Sequence, residues 1–194
     1  MTARRFEHLG DRSVYRGYLW EVVVGTFRDP NGEEFTRDIV RSPGAVAVVP
    51  VLVEGDGSLS VVLLRQYRAA FGREIVEVPA GMRDVVGEPP ERTAQRELLE
   101  EAGYTAGRLR LLHRFYPSTG MTDSELHVYL ATDLVAVERE HHGPEETHME
   151  VFTVPFERAV EMVVAGEIRD AKSTIGLLLA DRLIRGVDED VTRG

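Results

Sequence analysis

The chain has 194 residues, a length that suits one domain built on one substantial core. Its composition, 43% hydrophobic and 29% charged with no cysteine, excludes wholesale disorder, a disulfide framework, a thiolate zinc site and a cysteine nucleophile. The net charge of -10 disfavours binding to nucleic acid, and no apolar run approaches the roughly 20 residues that span a membrane. The polar N-terminus, without the apolar core of a signal peptide, predicts a cytoplasmic protein.

The first predicted elements form an antiparallel β-hairpin near the N-terminus. A run rich in β-branched and aromatic residues extends from Val14 to Phe27, as is typical of strands. The four residues from Asp29 to Gly32 are strong turn formers, and an extended pattern resumes from Glu34 to Arg41. The N-terminal region is therefore predicted to be a hairpin.

The remaining predicted elements mix strands with helices. Strands are expected over residues 45–53, 59–67, 74–78, 109–116, 125–131 and 149–155, and helices over residues 89–102, 156–164 and 171–185. In the first helix Ala94, Leu98 and Ala102 recur every four residues and form one apolar stripe, with Gly103 as its cap. The order lacks a regular βαβ alternation, which favours an α+β fold with a helix-flanked mixed sheet. Residues 138–146 are polar and are expected to form a long loop.

The first predicted helix carries three closely spaced carboxylates. Glu97, Glu100 and Glu101 share one face, because steps of three and four residues return to the same side of a helix. A solvated acidic surface is one interpretation of such a cluster. The other is a site for Mg²⁺ or Mn²⁺, since these ions prefer carboxylate oxygens and a bound cation would relieve the repulsion among them. Ions held in this way also bind substrate phosphates, so the second interpretation points to phosphate chemistry.

The spacing around this helix favours the metal site. The relevant residues are Gly81, Glu88, Arg96, Glu97, Leu98, Glu100, Glu101, Gly103 and Tyr104. Their pattern resembles the Nudix box, Gly-x5-Glu-x7-Arg-Glu-U-x-Glu-Glu-x-Gly-U, in which U is bulky and apolar. From Glu88 to Tyr104 the spacing matches in full. Six residues rather than five separate Gly81 from Glu88, and this departure lies in the loop before the helix.

The resemblance to Nudix proteins implies an α/β/α sandwich around a mixed sheet. It also implies hydrolysis of a nucleoside diphosphate linked to another group, with Mg²⁺ or Mn²⁺ as cofactor. The implied metal ligands are the Ala80 backbone carbonyl and the carboxylates of Glu97, Glu100 and Glu101. Arg96 and Glu88 would form an internal ion pair that fixes the loop to the helix. The resemblance therefore places Arg96 in the catalytic machinery through this pair, and Glu100 through the metal.

Outside the box, from about Val14 to Gly186, the chain is similar to the ADP-ribose pyrophosphatase branch of the family, especially its actinobacterial dimers. The similarity rests on Tyr15-Arg16-Gly17, Thr36-Arg37, Arg65-Gln66-Tyr67-Arg68, Glu77-Val78-Pro79-Ala80-Gly81, Tyr116-Pro117-Ser118 with Glu125, and Glu145-Glu146. In that branch the N-terminal strands swap across a homodimer, and both subunits build each nucleotide site. The resemblance thus predicts a homodimer, with residues 1–43 as a dimer-forming hairpin region and residues 44–194 as the hydrolase domain.

The same resemblance assigns roles in substrate binding. The predicted substrate-binding residues are Tyr18, Trp20, Arg37, Arg68, Gly81 and Glu125. Tyr18 or Trp20 would stack on adenine, Arg37 would reach the nucleotide from the partner subunit, and Arg68 would contact phosphate. Core or dimer packing is the alternative for Trp20, and an ordinary surface ion pair is the alternative for Arg37 and Arg68.

The catalytic base is expected on a loop after the sheet. Glu146, or its neighbour Glu145, occupies the position that the branch uses, and such a glutamate becomes competent when its loop closes over the substrate. The alternative is a charged loop tip. Nearby His141, His142 and His148 match no standard zinc spacing and are expected at the surface.

The predicted activity is hydrolysis of ADP-ribose to AMP and ribose 5-phosphate. Thr119 stands where the branch usually carries proline, which leaves another ADP-sugar, flavin adenine dinucleotide or NADH as alternative substrates. A non-catalytic nucleotide sensor is disfavoured because all the box glutamates are present. The absence of cysteine excludes an isomerase of the isopentenyl diphosphate type, and the extra N-terminal hairpin disfavours a nucleoside triphosphate sanitiser. No nucleic-acid or membrane partner is expected.

Overall fold

The computed structural model describes residues 5–139 and 148–186, which divide into two compact units. The first unit comprises the chain up to Gly44 together with Tyr116–Glu125, and the second comprises Ala45–Phe115 and the chain from Leu126 onward. Over the described ranges no helix is long and apolar enough to cross a membrane. The predicted domain division at residues 43 and 44 stays a prediction, since compactness alone does not show that a unit folds by itself. Most of the loop predicted over residues 138–146 lies outside the described residues.

The first unit is built on a three-stranded antiparallel sheet. Its strands β1 (Glu7–Arg16), β2 (Glu21–Arg28) and β3 (Glu34–Arg41) are neighbours in that order. The predicted turn between β2 and β3 is present, because the Asp29 carboxylate accepts hydrogen bonds from the backbone N–H groups of Asn31 and Glu33 at 2.8 and 2.9 Å. Asp29 thus closes this turn with its own side chain.

The single strand predicted from Val14 to Phe27 is wrong, because the chain reverses between β1 and β2. The Gly17 N–H donates to the Trp20 carbonyl at 2.8 Å and closes a tight turn. Arg16 and Glu21 then stand opposite each other in the sheet and form an ion pair at 2.9 Å. Composition conceals this turn, because β-branched and aromatic residues flank it on both sides and Gly17 is its one turn-forming residue.

The second unit is built on a seven-stranded mixed sheet among the residues described. Its strands are β4 (Ala45–Val53), β5 (Leu59–Arg68), β6 (Arg73–Glu77), β7 (Ala80–Met82), β8 (Tyr104–Phe115), β9 (Leu126–Ala136) and β10 (Glu150–Pro155). The main order is β10-β5-β4-β9-β8, while β6 pairs with β5 and β7 pairs with β4. Strands β4 and β9 run parallel, and the other pairs are antiparallel.

Helices cover both faces of this sheet. Helix α1 (Pro90–Glu97) continues into a π turn (Leu98–Ala102) and packs on the face that carries Val46 and Val48 of β4. Helices α2 (Phe156–Val164) and α3 (Ala171–Ile184) pack on the opposite face with Ala47 and Val49. Successive residues of a strand point to opposite faces, so β4 contributes to both cores. The second unit is therefore the predicted α/β/α sandwich around a mixed sheet.

Most predicted bounds in this unit agree closely with the structure. Strand β4 and helix α2 coincide with their predicted ranges, and the predicted stripe of Ala94, Leu98 and Ala102 is buried. By contrast, β8 begins at Tyr104 rather than residue 109, and β9 continues to Ala136 rather than ending at residue 131. The added ends pair through their backbones, but none of their residues is buried, and Gly107, Arg108 and Asp133 interrupt the apolar alternation that predicts a strand.

Candidate active site

The acidic face of α1 packs against the short strand β7. Glu97 and Glu101 are only 8% and 7% exposed. A Cβ at Gly81 would overlap the Glu97 carboxylate, so this close approach requires glycine. The Ala80 N–H donates to Glu101 Oε2 at 2.7 Å. The interpretation of these glutamates as a solvated surface is therefore wrong, because strand β7 covers them.

Arg96 connects the acidic residues to the loop before the helix. Its guanidinium donates to Glu97 Oε1 at 2.7 Å and to Glu100 Oε2 at 3.1 Å. The ion pair with Glu88 expected from the sequence is present at 3.4 Å, and a second one with Asp84 has the same length. Arg96 thus holds the loop and two glutamates of the acidic face in one network.

The additional residue between Gly81 and Glu88 lies in an exposed turn. The Glu88 N–H donates to the Val85 carbonyl at 3.1 Å, and Val86 is fully exposed. Gly87 has a φ of +80°, in the left-handed region that glycine adopts without strain. The turn absorbs the additional residue while Glu88 keeps its contact with Arg96, as expected for a change in loop shape alone.

The helix changes its winding at the glutamates. After Glu97 it widens into the π turn, where Glu100 and Glu101 occur, and the Gly103 N–H donates to the Leu98 and Leu99 carbonyls. The predicted cap at Gly103 is confirmed, with a φ of +74°. Single π turns inside helices occur frequently at functional sites.

Burial makes the two inner glutamates costly to ionise. It raises the pKa of Glu97 to about 7 and the pKa of Glu101 to about 8. The charges of Glu100 and Asp84 add to the shift at Glu97, and the charge of Glu97 adds to the shift at Glu101. The hydrogen bonds from Arg96 and from the Ala80 N–H lower these pKa values without cancelling the effect of burial. A cation placed among these carboxylates would favour their ionised forms.

The donor set fits a hard divalent cation. Three carboxylates and the nearby Ala80 backbone supply only oxygen ligands, which Mg²⁺ and Mn²⁺ prefer. Over the described ranges, no three acidic or histidine side chains already converge in a ligating arrangement. Glu97 and Glu100 accept hydrogen bonds from Arg96, and Glu101 accepts one from Ala80. Binding of a metal therefore requires these side chains to exchange hydrogen bonds for coordination.

Arg68 belongs to a second ionic network in the same unit. Its guanidinium donates to both oxygens of Glu77 at 2.8 and 2.6 Å. The Lys172 ammonium donates to Glu77 Oε2 at 2.5 Å and pairs with Asp170 at 2.9 Å. Burial alone would raise the pKa of Glu77, but the hydrogen bonds and charges of Arg68 and Lys172 outweigh it and hold this pKa below its usual value. Arg68 therefore forms an ion pair, which was the alternative that the sequence left open, and its partner Glu77 is buried.

This network lies beside the acidic face and borders a cavity of about 460 Å³. The charges of Arg68 and Lys172 favour the ionised form of Glu101, so both cations lie within electrostatic range of it. Sequence reasoning identified Arg68 but missed Glu77 and Lys172. The available signals were a charged residue near the end of a predicted strand and the only lysine in the chain.

The remaining predicted substrate contacts lie in the first unit. Tyr18 is 96% exposed and Trp20 is more than half exposed, both in the turn between β1 and β2, so Trp20 is not a core residue of the described chain. The Arg37 guanidinium lies 4.8 Å from the centroid of the Phe35 ring. Thr119 lines a cavity of about 550 Å³ together with these two residues.

Other predicted residues have less defined surroundings. Glu125 is half-buried at the end of the first unit, and His148 is exposed as expected. The predicted base, Glu146 or Glu145, lies outside the described residues, as do His141 and His142. The structure thus brings together the residues of the box, with Arg68 beside them.

A model of the NUDIX domain matches residues 42–174, which is more than half of the chain. The chain belongs to the Nudix family. The match includes the complete Nudix box on α1 and the strands β4 to β10 that carry it. Nudix proteins generally use divalent metal ions, in agreement with the oxygen donors of this site.

Two similar proteins carry the same name. The ADP-ribose pyrophosphatase of Bacillus subtilis is 38% identical over 87% of this chain and 89% of its own length. The ADP-ribose pyrophosphatase of Mycobacterium tuberculosis is 34% identical over 96% of this chain and 88% of its own length. A solved structure described as an ADP compounds hydrolase superposes with a TM-score of 0.80 at 21% identity, covering 97% of this chain and 98% of its own. This last likeness confirms the Nudix fold.

Proposed function

We propose that this Nudix protein hydrolyses the pyrophosphate bond of ADP-ribose to AMP and ribose 5-phosphate, with Mg²⁺ or Mn²⁺ as cofactor. The observation that carries the proposal is the buried acidic face of α1, where Glu97 and Glu101 lie against Ala80 and Gly81. The similarity to two ADP-ribose pyrophosphatases over most of each chain supports the choice of substrate.

The roles of the site residues follow from their contacts. Glu97, Glu100, Glu101 and the Ala80 carbonyl would hold the metal, which supplies charge stabilisation and lowers the pKa of an attacking water. Arg96 orients two of these carboxylates through its hydrogen bonds, and Gly81 lets Glu97 approach the strand. Arg68 presents a partly exposed guanidinium for a substrate phosphate. Glu146, or Glu145, remains our choice for the general base.

We further propose that the first unit forms the interface of a homodimer and contributes Tyr18, Trp20, Arg37 and Glu125 to the nucleotide site. The exposed aromatic side chains around its first turn support this role, because large exposed apolar surfaces mark interaction sites. Sedimentation of the wild type should give twice the mass of the chain. A Tyr18→Ser, Trp20→Ser double variant should lose affinity for ADP-ribose, and unchanged affinity would exclude both side chains from the site.

The activity is tested with a panel of ADP-ribose, ADP-glucose, NADH and flavin adenine dinucleotide. Release of AMP is measured with Mg²⁺, with Mn²⁺ and after chelation. We expect ADP-ribose to be cleaved fastest and chelation to stop the reaction. If another compound is cleaved faster, the proposed pyrophosphatase activity stands and only the assigned substrate changes. If ADP-ribose binds tightly but nothing is cleaved, the protein is a nucleotide sensor.

The remaining proposals concern partners and location. A cytoplasmic location stays a prediction, and so does the absence of a nucleic-acid partner, which rests on the net charge. Cell fractionation tests the first, and a binding assay with duplex DNA at low salt tests the second.

A further inference from the structure

Lys172 is the only lysine among 23 basic residues of the chain. It stands in the first turn of α3, and its side chain is 12% exposed. Its ammonium lies between the carboxylates of Glu77 and Asp170, at 2.5 and 2.9 Å. A compact ammonium with three donors suits this position between two acids, whereas a guanidinium is planar and binds carboxylates edge to edge.

Lys172 shares a carboxylate with Arg68. Glu77 Oε2 accepts hydrogen bonds from both cations, while Glu77 Oε1 accepts one from Arg68. The Glu77 side chain is 3% exposed, so it is held from two sides and has little freedom to turn. The orientation of the Arg68 guanidinium, which is bonded to both oxygens, follows that of Glu77.

The members of this ionic network balance in charge but differ in exposure. Its two carboxylates, Glu77 and Asp170, balance the two cations, Arg68 and Lys172. The Asp170 carboxylate also accepts hydrogen bonds at the start of α3, from the Ser173 N–H and Oγ–H at 2.9 and 2.6 Å. Arg68 is the most exposed member of the trio, with 37% of its side chain accessible. Arg68 is therefore the cation of this network that a ligand in the cavity can reach.

The cavity beside Arg68 suits an anion. Four basic side chains and two acidic ones line it, namely Arg68, Arg73, Arg169 and Lys172 with Glu77 and Asp170. This positive balance contrasts with the net charge of -10 for the whole chain. The cavity borders the network that lies within electrostatic range of Glu101, a residue of the Nudix box.

We propose that Lys172 is a positioning residue: through Glu77 it orients Arg68, so that Arg68 binds a phosphate of the nucleotide substrate in this cavity. The proposal rests on the proposed function, since it takes a nucleoside diphosphate as the ligand. Lys172 itself need not touch the substrate. Its effect should appear in substrate affinity and should depend on Arg68.

The test is a double-mutant cycle with Lys172→Met, Arg68→Met and the combined variant. Each is assayed for the KM and kcat of ADP-ribose hydrolysis with Mg²⁺. Lys172→Met should raise KM about tenfold and change kcat less than twofold, because a contact made equally in the ground state and the transition state affects KM. The combined variant should have the KM of Arg68→Met, whereas two independent contributions would multiply.

A binding measurement separates this role from a structural one. The Kd of ADP-ribose, determined by calorimetry in EDTA, should rise about as much as KM in Lys172→Met. The matched control is Arg185→Met, which breaks an ion pair with Asp181 at the other end of the same helix. It should leave KM and Kd unchanged. A Lys172→Met variant that melts at a lower temperature with unchanged KM and Kd would overturn the positioning role.

The single lysine also provides a spectroscopic signal. Labelling with ¹³C-lysine gives one set of side-chain resonances, those of Lys172. ADP-ribose in EDTA should shift the Cε resonance in the wild type and leave it unshifted in Arg68→Met. A wild type that binds but does not cleave ADP-ribose refutes the proposed function and leaves this inference intact. A wild type that neither binds nor cleaves it refutes both.

Discussion

Two sets of buried carboxylates lie in the second unit, and they differ in their cationic partners. Glu77 receives hydrogen bonds from Arg68 and Lys172, and its pKa lies below the usual value. Glu97 and Glu101 are buried to a similar extent, but their pKa values rise to about 7 and about 8. Burial of a carboxylate is thus compensated within the chain at Glu77, whereas at the Nudix box the proposed metal ion would supply that compensation.

The largest expected effect is a loss of activity when Glu97 or Glu101 is replaced, because the burial of these carboxylates is not compensated within the chain. Glu97→Gln and Glu101→Gln should each lower kcat about 10³-fold, because each removes a charge that we propose holds the metal. Neither should lower the melting temperature in EDTA, since the neutral amide avoids the cost of a buried charge. The matched control is Glu157→Gln on the exposed side of α2, which should keep full activity.

Leu98→Ala tests the division of α1 into an acidic face and an apolar stripe. Leu98 is fully buried in the core under the helix. Its truncation should cost about 3 kcal/mol of unfolding free energy, measured by urea denaturation, while the folded fraction keeps its kcat. If Leu98→Ala and Glu97→Gln lost the same stability, the division of the two faces would be wrong.

Glu77→Gln should respond in the opposite way to the Nudix-box variants. Here the substitution leaves Arg68 and Lys172 without their shared carboxylate, so the free energy of unfolding should fall by about 3 kcal/mol. Denaturation in urea at pH 7.5 measures it. A Glu77→Gln variant as stable as the wild type would show that the two sets of carboxylates do not differ in this way.

The pH dependence of stability should show the same contrast. In EDTA the native state keeps Glu97 and Glu101 protonated above their unfolded pKa of 4.5, so native protein binds more protons and stability falls as pH rises from 4.5 through about 7 and 8. Glu77 has the opposite sign, and its contribution is present above 4.5 and lost as pH falls below that value. Melting curves in EDTA should therefore decline between pH 5 and pH 8.5, scanned in about half-unit steps. Mg²⁺ should raise the melting temperature more at the alkaline end, and an equal rise at both ends would contradict the assignment.

The smallest change to the structure is the addition of one methyl group at a glycine, Gly81 or Gly87. Gly81→Ala places a methyl group where the Glu97 carboxylate lies and should lower kcat about 10²-fold by displacing it. Gly87→Ala is the matched control, because a Cβ there meets open space and only the positive φ is strained. It should cost about 1 kcal/mol of stability and retain activity. Equal kcat values for the two variants would exclude a special role for Gly81.

Much of the second unit could be predicted because its signals are local. The apolar stripe of α1, the run of β4 and the box spacing all depend on residues close in sequence, so periodicity and motif reveal them. The turn at Gly17–Trp20 and the outer ends of β8 and β9 escaped prediction, because backbone pairing decides them and leaves little trace in side-chain pattern.

The sequence by itself determined which carboxylates share a face of α1, because helical geometry places residues three and four apart on the same side. It also determined the family, since so many fixed positions fall in one register. Only the tertiary structure decided that Glu97 and Glu101 are buried under β7, and that Glu77 meets Lys172 from 95 residues away. The physical reason is that burial and charge compensation depend on which distant segments pack together, and those contacts set the pKa values on which the chemistry depends.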